Sequence, residues 1–367
     1  MNVKSILLVV MLSGTSALAF ADDVQADAAK VEFEQRYSAF QQALAEQAAT
    51  EDLVELAKQS YVAGANYFGD SNINTANLKM SYLNLVPKPT LESEASRDLA
   101  QDILATYRAT YEPKAPELIP ALLMVLETGP RSYKLRQAEF VYDELIDVAD
   151  ANMDTQPEAM FKAKILAGAQ LLRLGSRDSR YLTDFAEQAD KQFGSTHELA
   201  LLANFHAGRY LEAKGDLESA VEKFKRLTDA EALPSQLSYF KYVSHARLVN
   251  HLEALGESEA ATEHCIAISN LGYGIGNEEQ PKPLYRKAPE YPQSALYRNR
   301  DGSVKIQYDV TADGRVENIE ILESSEDVWI ETSREAIAKW RFAPRLENGE
   351  PVATTERKVI FEFEMAD

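Results

Sequence analysis

Apolar residues recur every three or four positions over most of the chain, from about Ala28 to Leu271. This spacing places them along one face of an α-helix, where a neighbouring helix can bury them. The first clear face consists of Phe33, Tyr37, Phe40 and Leu44. Small residues and prolines interrupt the pattern at intervals, so it predicts an all-α body of successive helices.

One segment of this body has the pattern of a helical hairpin. It reads A-N-F-H-A-G-R-Y-L-E-A-K-G-D-L-E-S-A-V-E-K-F-K-R-L from Ala203 to Leu227. Gly208 allows two helices to approach closely, and Gly215 with Asp216 forms the turn. The inner face of the second helix carries Ala220, Phe224 and Leu227. The segment resembles a tetratricopeptide repeat, and this resemblance implies stacked hairpins with a concave surface that can hold a peptide.

Related turns are predicted elsewhere in the helical body, at Leu174–Gly175, Leu255–Gly256, Tyr67 to Gly69 and Thr128 to Pro130. The glycines at 175, 215 and 256 are 40 and 41 residues apart. These spacings exceed the usual tetratricopeptide period of about 34 residues. We therefore expect about four to six hairpins whose helices are longer, or whose turns are less regular, than is usual.

The helical pattern fails between Leu271 and Pro292, where three glycines are followed by four prolines. No strand pattern precedes the glycines and no Lys-Ser or Lys-Thr follows them, so a flexible joint is favoured over a phosphate-binding loop. The sequence thus predicts a helical-repeat domain at residues 22–271, a linker at 272–288 and a second domain at 289–367.

The second domain begins with a β-hairpin pattern. Apolar and polar residues alternate strictly from Val304 to Val310, as in a strand with one buried face. The segment Thr311 to Arg315 contains Asp-Gly and predicts a turn, and Val316 to Leu322 then returns antiparallel. A short helix at Gln293 to Arg298 is predicted to precede the hairpin.

A helix and a last strand complete the predicted domain. Apolar and small residues recur at helical spacing at Trp329, Ser333, Ala336, Ile337 and Trp340. We expect this helix to lie on the sheet and to end at Pro344. Asn348-Gly349 predicts a second turn, and Glu356 to Met365 alternates again. The predicted fold class is α+β, with an all-α repeat domain followed by a three-stranded antiparallel sheet and its helix.

These motifs resemble one known family. Y-P-x-x-A starts at Tyr291, G-x-V-x-I-x-Y-x-V-T-x-D-G-R-V follows at Gly302 to Val316, and A-I-x-K-W-R-F-x-P ends at Pro344. The set, in this order and with a closing apolar strand, is similar to the C-terminal domain of the TonB family. The resemblance covers about 75 to 80 residues. It implies a periplasmic domain that captures a short extended segment, the TonB box of an outer-membrane receptor, alongside its terminal strand.

The resemblance also implies which residues contact the partner. Tyr291 and Pro292 match the entry motif of the family, and Trp340 to Phe342 match its helix end. The edge strand on which the box would lie corresponds to Arg357, Lys358, Val359, Ile360, Phe361, Glu362 and Phe363. At their spacings, Tyr291, Trp340 and Phe342 are predicted to be core residues rather than contact residues. For the closing strand, main-chain hydrogen bonding would carry the function.

The N-terminal segment, residues 1–21, reads as a secretory signal. Lys4 supplies the positive charge, Ile6 to Leu12 form an apolar block, and Ala19 to Ala21 form a small-x-small cleavage site. We therefore expect a mature chain that starts near Asp22 in the periplasm. The alternative is an uncleaved inner-membrane anchor. A protein without an anchor has no covalent link to inner-membrane motor proteins, which the TonB family resemblance would otherwise imply as partners.

Composition and the remaining motifs exclude several function classes. The chain has 58 acidic and 38 basic residues, and the basic residues do not cluster, which argues against nucleic acid as a partner. None of the five histidines forms an H-E-x-x-H pair, and G-x-S-x-G and P-loop motifs are absent. The single cysteine, Cys265, excludes an intramolecular disulfide and is expected to be buried. We predict no catalytic residue, no cofactor and no metal site, and thus no enzyme.

Three functions remain open from the sequence. The first is a periplasmic TonB-like protein that binds TonB-box-like peptides by strand addition and supports TonB-dependent transport. The second is a periplasmic scaffold or adaptor, in which the C-terminal domain serves only to form a homodimer and has no role in energy transduction. The third is an anchored energy transducer with an uncleaved N-terminus, which follows from the anchor alternative above.

Overall fold

The structure is a computed structural model that describes residues 23–129, 135–176, 179–271 and 280–365. The predicted signal segment and residues 272–279 of the predicted linker lie outside these residues. The helices are α1 Asp23–Ala45, α2 Thr50–Phe68, α3 Ile73–Leu83, α4 Lys88–Leu91, α5 Glu94–Thr110, α6 Leu118–Thr128, α7 Leu135–Ala151, α8 Pro157–Leu174, α9 Tyr181–Phe193, α10 Glu198–Lys214, α11 Leu217–Thr228, α12 Ser238–Leu255, α13 Ser258–Asn270, α14 Gln293–Leu296 and α15 Ile330–Ala338. No helix within these ranges is both long and apolar enough to cross a membrane.

The strands all lie in the C-terminal part of the chain. They are β1 Lys282–Tyr285, β2 Gly302–Val310, β3 Val316–Ser324, β4 Arg341–Ala343, β5 Arg345–Glu347, β6 Glu350–Val352 and β7 Thr354–Phe363. Two short 3-10 turns, Ser235–Leu237 and Asp327–Trp329, precede α12 and α15. Helices followed by a small β-rich domain confirm the predicted α+β class.

The helices of the body end where the sequence predicts turns. Gly175, Gly215 and Gly256 follow α8, α10 and α12 in the left-handed conformation. At Gly215, φ is +82°, and Asp216 then caps α11 by accepting a hydrogen bond from the Ser219 amide. The body is therefore helical as predicted, while its assignment to the tetratricopeptide class and the number of hairpins stay predictions.

The packing of α10 against α11 follows the predicted hairpin. A Cβ on Gly208 would lie 3.0 Å from the ring of Phe224, so the small residue permits this close approach. Ala220, Phe224 and Leu227 are all buried. The inner face of the second helix is thus the one that the sequence predicts.

The chain divides into two compact units, residues 1–182 and 183–367. The core of the first unit is formed by apolar residues of α3 to α8, such as Ile103, Leu122 and Leu145. The second unit contains α10 to α13 together with all seven strands named above. The domain boundaries predicted from the sequence stay predictions, but the last two hairpins and the C-terminal domain share one compact unit.

The C-terminal domain is built on a three-stranded antiparallel sheet with the order β3-β2-β7. Every second side chain of β2 is buried, namely Val304, Ile306, Tyr308 and Val310. Helix α15 contributes Ile337 to the same core, and Trp329 just before it is fully buried. The predicted three-stranded sheet with its helix is confirmed, and β5 and β6 form the additional hairpin at Asn348-Gly349.

The prediction that Pro344 ends the helix of this domain is wrong. Helix α15 ends at Ala338, and Arg341–Ala343 form strand β4. The reason is tertiary, because β4 pairs antiparallel with β1, with Lys282 opposite Ala343. Pairing with a distant strand overrides the helical spacing of Trp340, which lies two residues beyond the end of α15.

Strand β1 lies within the segment assigned to the linker. Its residues, Lys282–Tyr285, are hydrogen-bonded to β4 and lie against α12, where Nδ2 of the Asn250 side chain donates to the Leu284 carbonyl at 3.0 Å. This part of the proline-marked segment is therefore ordered by partners on both sides. The prolines keep it extended, as a strand requires.

Candidate peptide-docking edge of the C-terminal domain

Strand β7 lies at one edge of the three-stranded sheet. Within the part of the chain that the structure describes, it pairs only with β2, from Gly302 opposite Phe363 to Val310 opposite Thr354. Its other side presents main-chain groups without a strand partner. All seven residues predicted for the edge strand, Arg357 to Phe363, lie in β7.

The hydrogen bonds of β2 show which amides of β7 point outward. The Ser303 carbonyl accepts from the Ser325 amide, and the Ser303 amide donates to the Ser325 hydroxyl, so Ser303 faces β3. Main-chain groups alternate along a strand, and Val304 therefore faces β7, where it lies opposite Phe361. Phe361 in turn faces β2. The outward main-chain groups are those of Lys358, Ile360 and Glu362.

Side chains follow the same alternation. Phe361 and Phe363 are buried in the domain core and Val359 is partly buried, whereas Lys358, Ile360 and Glu362 are exposed. Ile360 keeps 56% of its residue surface exposed, although it lies between the partly buried Val359 and the buried Phe361. The residues with outward main-chain groups thus also present their side chains to solvent.

Side chains of the neighbouring region fix both ends of β7. The Glu356 amide donates to Asp309 Oδ1 at 2.8 Å, and the Met365 amide donates to Asp301 Oδ1 at 3.0 Å. Glu356 adopts a positive φ of 59°, which marks an irregularity at the start of the strand. These contacts fix the two ends of the strand, and its outer side has no strand partner among the described residues.

The opposite edge, β3, is protected. Arg334 on α15 donates from Nη1 to the Ile319 carbonyl at 3.2 Å. The register between β2 and β3 shifts twice, and Asn318 has a positive φ of 50°. Bulges and a covering side chain commonly prevent an edge strand from pairing with another strand. The two edges therefore differ, because the pairing of β7 with β2 is regular from Arg357 to Phe363 and shifts only once, at the start of the strand.

Of the two entry-motif residues, Tyr291 packs against the domain core and Pro292 precedes α14. The Tyr291 ring packs edge-on against Trp329 and Phe363, with centroids 5.3 and 5.8 Å away, and its hydroxyl donates to the Arg300 carbonyl. Pro292 precedes α14, and its carbonyl accepts from the amides of Ala295 and Leu296. These contacts are structural ones, and a partner contact by either residue stays a prediction.

Trp340 and Phe342 also pack inside the domain. The Trp340 indole nitrogen donates to the Lys287 carbonyl at 2.9 Å, and its ring meets Phe361 edge-on at 5.5 Å. The Arg286 guanidinium lies 4.7 Å from the Trp340 ring centroid, within the range of a cation–π contact. Phe342 is fully buried. The sequence-based assignment of these aromatic residues to the core agrees with their burial.

A second feature positions the edge, and the sequence did not reveal it. Strand β4 and the segment after it are packed on α12 and α13 of the helical body. The buried core of this contact contains Val249, Cys265, Ile268 and Ala343. The Ser269 hydroxyl donates to the Pro344 carbonyl at 3.2 Å. The C-terminal domain is therefore fixed to the last helical hairpin by its β4 side.

A buried ion pair lies in the same contact. Arg341 Nε is 2.7 Å from Glu253 Oε1, and the two side chains are only 7% and 4% exposed. Arg341 also donates to the Trp340 carbonyl, and the other Glu253 oxygen accepts from the Ser258 hydroxyl. The partners are far apart in sequence, and a single Glu in a helix carries no signal that predicts such a pair.

Cys265 should report on the integrity of this contact. The side chain is fully buried, as expected from the sequence, and burial raises the pKa of its thiol to about 12. Because it is the single cysteine, iodoacetamide labelling followed by mass spectrometry is unambiguous. We expect modification of the native chain at least about 100-fold more slowly than in urea. Equal rates would contradict burial at this contact.

Within the described residues, no three or more His, Cys, Asp or Glu side chains are grouped so that they could hold a metal ion. The features on which a function can be built are therefore the open edge of β7 and its fixed base. The absence of catalytic, cofactor and metal sites in the whole chain stays a prediction.

Comparison with known proteins identifies the domain that carries this edge. A model of the family described as "Gram-negative bacterial TonB protein C-terminal" matches residues 287–365. Protein TonB of Pseudomonas aeruginosa is 38% identical over 94 residues, which are 25% of this chain and 28% of that protein. Protein TonB of Escherichia coli K12 is 34% identical over 84 residues, covering 23% and 34%.

A solved structure also matches, the solution NMR structure of the Pseudomonas aeruginosa TonB C-terminal domain. It is 37% identical, its match covers 25% of this chain and 92% of that chain, and the TM-score is 0.23. The chain thus spans about a third or less of the length of the two TonB proteins that it matches. The similarity falls on the motifs from Tyr291 to Phe363, and residues 287–365 are a TonB C-terminal domain.

Proposed function

We propose that the C-terminal domain binds an extended peptide segment, such as the TonB box of an outer-membrane receptor, as an additional strand on β7. The peptide would form main-chain hydrogen bonds with Lys358, Ile360 and Glu362. Binding of this kind would support TonB-dependent transport. The observation that carries the proposal is the regular, unpaired edge of β7 in a domain of the TonB family.

We also propose a cellular compartment and partners for the whole chain. The protein would act in the periplasm, with a TonB-dependent receptor as its partner at β7, and it would not be an enzyme. The helical body would recruit or position a second partner. We do not propose contact with inner-membrane motor proteins.

Sequencing the N-terminus of the protein isolated from cells tests the periplasmic location, since a mature chain that starts near Asp22 is expected.

Replacing Ile360 with proline should weaken peptide binding at least about tenfold, because proline removes an outward amide that the added strand needs. The bonds to β2 stay intact, since Ile360 does not face β2. The measurement is fluorescence polarisation with a labelled synthetic TonB-box peptide and a scrambled peptide of the same composition. Ile360→Ala is the matched control: it truncates the same side chain, keeps the amide, and should bind within about twofold of the original chain.

Equal affinity of the Ile360→Pro and Ile360→Ala variants would contradict strand addition at this edge. The same pair of variants distinguishes the scaffold function, in which β7 pairs with β7 of a second copy. In that case sedimentation at several concentrations would show a dimer that Ile360→Pro abolishes, and the original chain would not bind the TonB-box peptide.

A further inference from the structure

Helices α10 and α12 of the last two hairpins lie side by side and form a common face. Phe205 on α10 meets Phe240 on α12 edge-on, with centroids 4.7 Å apart. Arg247 on α12 donates to Glu212 on α10, which links the two helices at the other end of the face. This contact brings charged side chains of both helices together on the common face. The group includes basic residues, although the chain as a whole is strongly acidic.

Arg209 is the unusual residue of this face. It lies one helical turn before Glu212 on α10, and its side chain is half-buried. No hydrogen bond or ion pair joins it to another residue in the described ranges, because the Glu212 carboxylate is engaged by Arg247. Burial and the positive charge of Arg247 lower the pKa of Arg209, and the negative charge of Glu212 opposes this shift without cancelling it. A partly buried guanidinium that shares its one nearby carboxylate with a second guanidinium costs free energy, and a bound anion would offset that cost.

The titratable groups around Arg209 compensate its charge only in part. His206, one turn earlier on α10, is only 5% exposed, and neither ring nitrogen has a hydrogen-bond partner among the described residues. Burial, with a contribution from Arg209, lowers the pKa of His206 to about 3, so this ring is neutral at pH 7. His251, 3.9 Å from Glu212, also has a lowered pKa because of burial. Two guanidinium groups and one carboxylate thus leave a single positive charge.

We propose that this face binds an acidic segment of a partner protein, with one carboxylate of the segment on Arg209. A single uncompensated charge matches a carboxylate, whereas the nearby Glu212 carboxylate would repel a doubly charged phosphate. The guanidinium can hold a carboxylate through two parallel hydrogen bonds. Tyr239 lies on the same side of α12 as Arg247, two turns earlier, and is 47% exposed, so it offers an aromatic surface to the rest of the segment.

The test uses the purified full chain and two fluorescein-labelled pools of decapeptides. One pool has Glu fixed at two central positions and the other has Gln there, with the remaining positions randomised. We expect the Glu pool to bind at least about tenfold more tightly than the Gln pool. Arg209→Gln should abolish this preference. Lys214→Gln removes the same charge from an exposed position on the same helix and should preserve the preference.

Three results would overturn the proposal: no binding of the Glu pool, equal binding of both pools, or equal loss in the two variants. Displacement of the Glu pool by inorganic phosphate at concentrations below those at which acetate displaces it would also contradict a carboxylate site. Arg209→Gln should leave TonB-box binding at β7 unchanged, so this site and the edge of β7 are tested separately.

A second measurement distinguishes a binding role from a structural one. Arg209→Met keeps the aliphatic packing of the side chain and removes its positive charge. If the role of Arg209 is to bind a ligand, this variant should leave the melting temperature of the free chain unchanged or raise it. If Arg209 instead stabilises the fold, Arg209→Met should lower the melting temperature, and this result would contradict the proposal.

Discussion

Glu253→Ala should lower the free energy of unfolding by about 3–5 kcal/mol, the usual cost of removing one partner from a buried ion pair. The Arg341 guanidinium would remain buried beside an empty position, because both side chains are less than a tenth exposed. The hydrogen bonds of Arg341 go to main-chain carbonyls and do not neutralise its charge. The measurement is urea unfolding followed by circular dichroism and by labelling of Cys265, which should become faster in the variant.

Two control variants make this expectation specific. Glu253→Leu combined with Arg341→Met removes both charges and should restore most of the lost stability, because no charge is left buried. Glu259→Ala breaks an ion pair with Arg315 at an exposed position, where Glu259 is 86% accessible. Exposed pairs contribute little, so this variant should unfold like the original chain.

If Glu253→Ala loses no more stability than Glu259→Ala, the contact between α12 and β4 does not hold the C-terminal domain. A double variant as unstable as Glu253→Ala would also count against the ion pair, since the loss would then come from packing alone.

Gly314→Ala should destabilise the chain by at least about 3 kcal/mol, because it combines backbone strain with a steric clash. Gly314 lies in the turn between β2 and β3 with φ of +84°, and a Cβ there would be 2.1 Å from the Phe342 carbonyl oxygen. The same methyl group would lie 3.2 Å from Cys265 Cβ on α13. The turn cannot move away easily, since the Phe342 amide donates to the Gly314 carbonyl at 2.9 Å.

Gly349→Ala is the matched control for this variant. Gly349 has nearly the same φ, +86°, in the β5–β6 turn, and nothing lies within 4 Å of the position that its Cβ would occupy. Its substitution should cost only the strain of the left-handed conformation, about 1 kcal/mol. Urea unfolding of both variants measures the difference. An equal loss of stability in the two variants would show that the close approach of Gly314 to β4 does not restrict the residue at position 314.

Elements determined by local pattern could be predicted from the sequence. The alternation from Val304 to Val310 predicts the buried face of β2, and Asp313-Gly314 and Asn348-Gly349 predict the two turns that the structure contains. Left-handed glycines likewise mark the ends of α8, α10 and α12. In each case, the residue type and its immediate neighbours restrict the backbone, so distant contacts were not needed.

Features that depend on distant partners could not be predicted. The helical spacing of Trp340 suggested a longer α15, but pairing of Arg341–Ala343 with β1 takes this segment into a strand. The proline-marked segment predicted a flexible joint, whereas its last part is bound between α12 and β4. The outward direction of the Ile360 amide also required the observed register, because alternation alone allows either assignment.

Hydrogen exchange of individual amides in the presence of a synthetic TonB-box peptide tests the central claim most directly. In the free chain, the amides of Val359 and Phe361 should already be protected, since they face β2. On addition of the peptide, the amides of Lys358, Ile360 and Glu362 should become protected, which gives an alternating pattern along β7. Bound peptide without new protection at these three amides would contradict strand addition on β7.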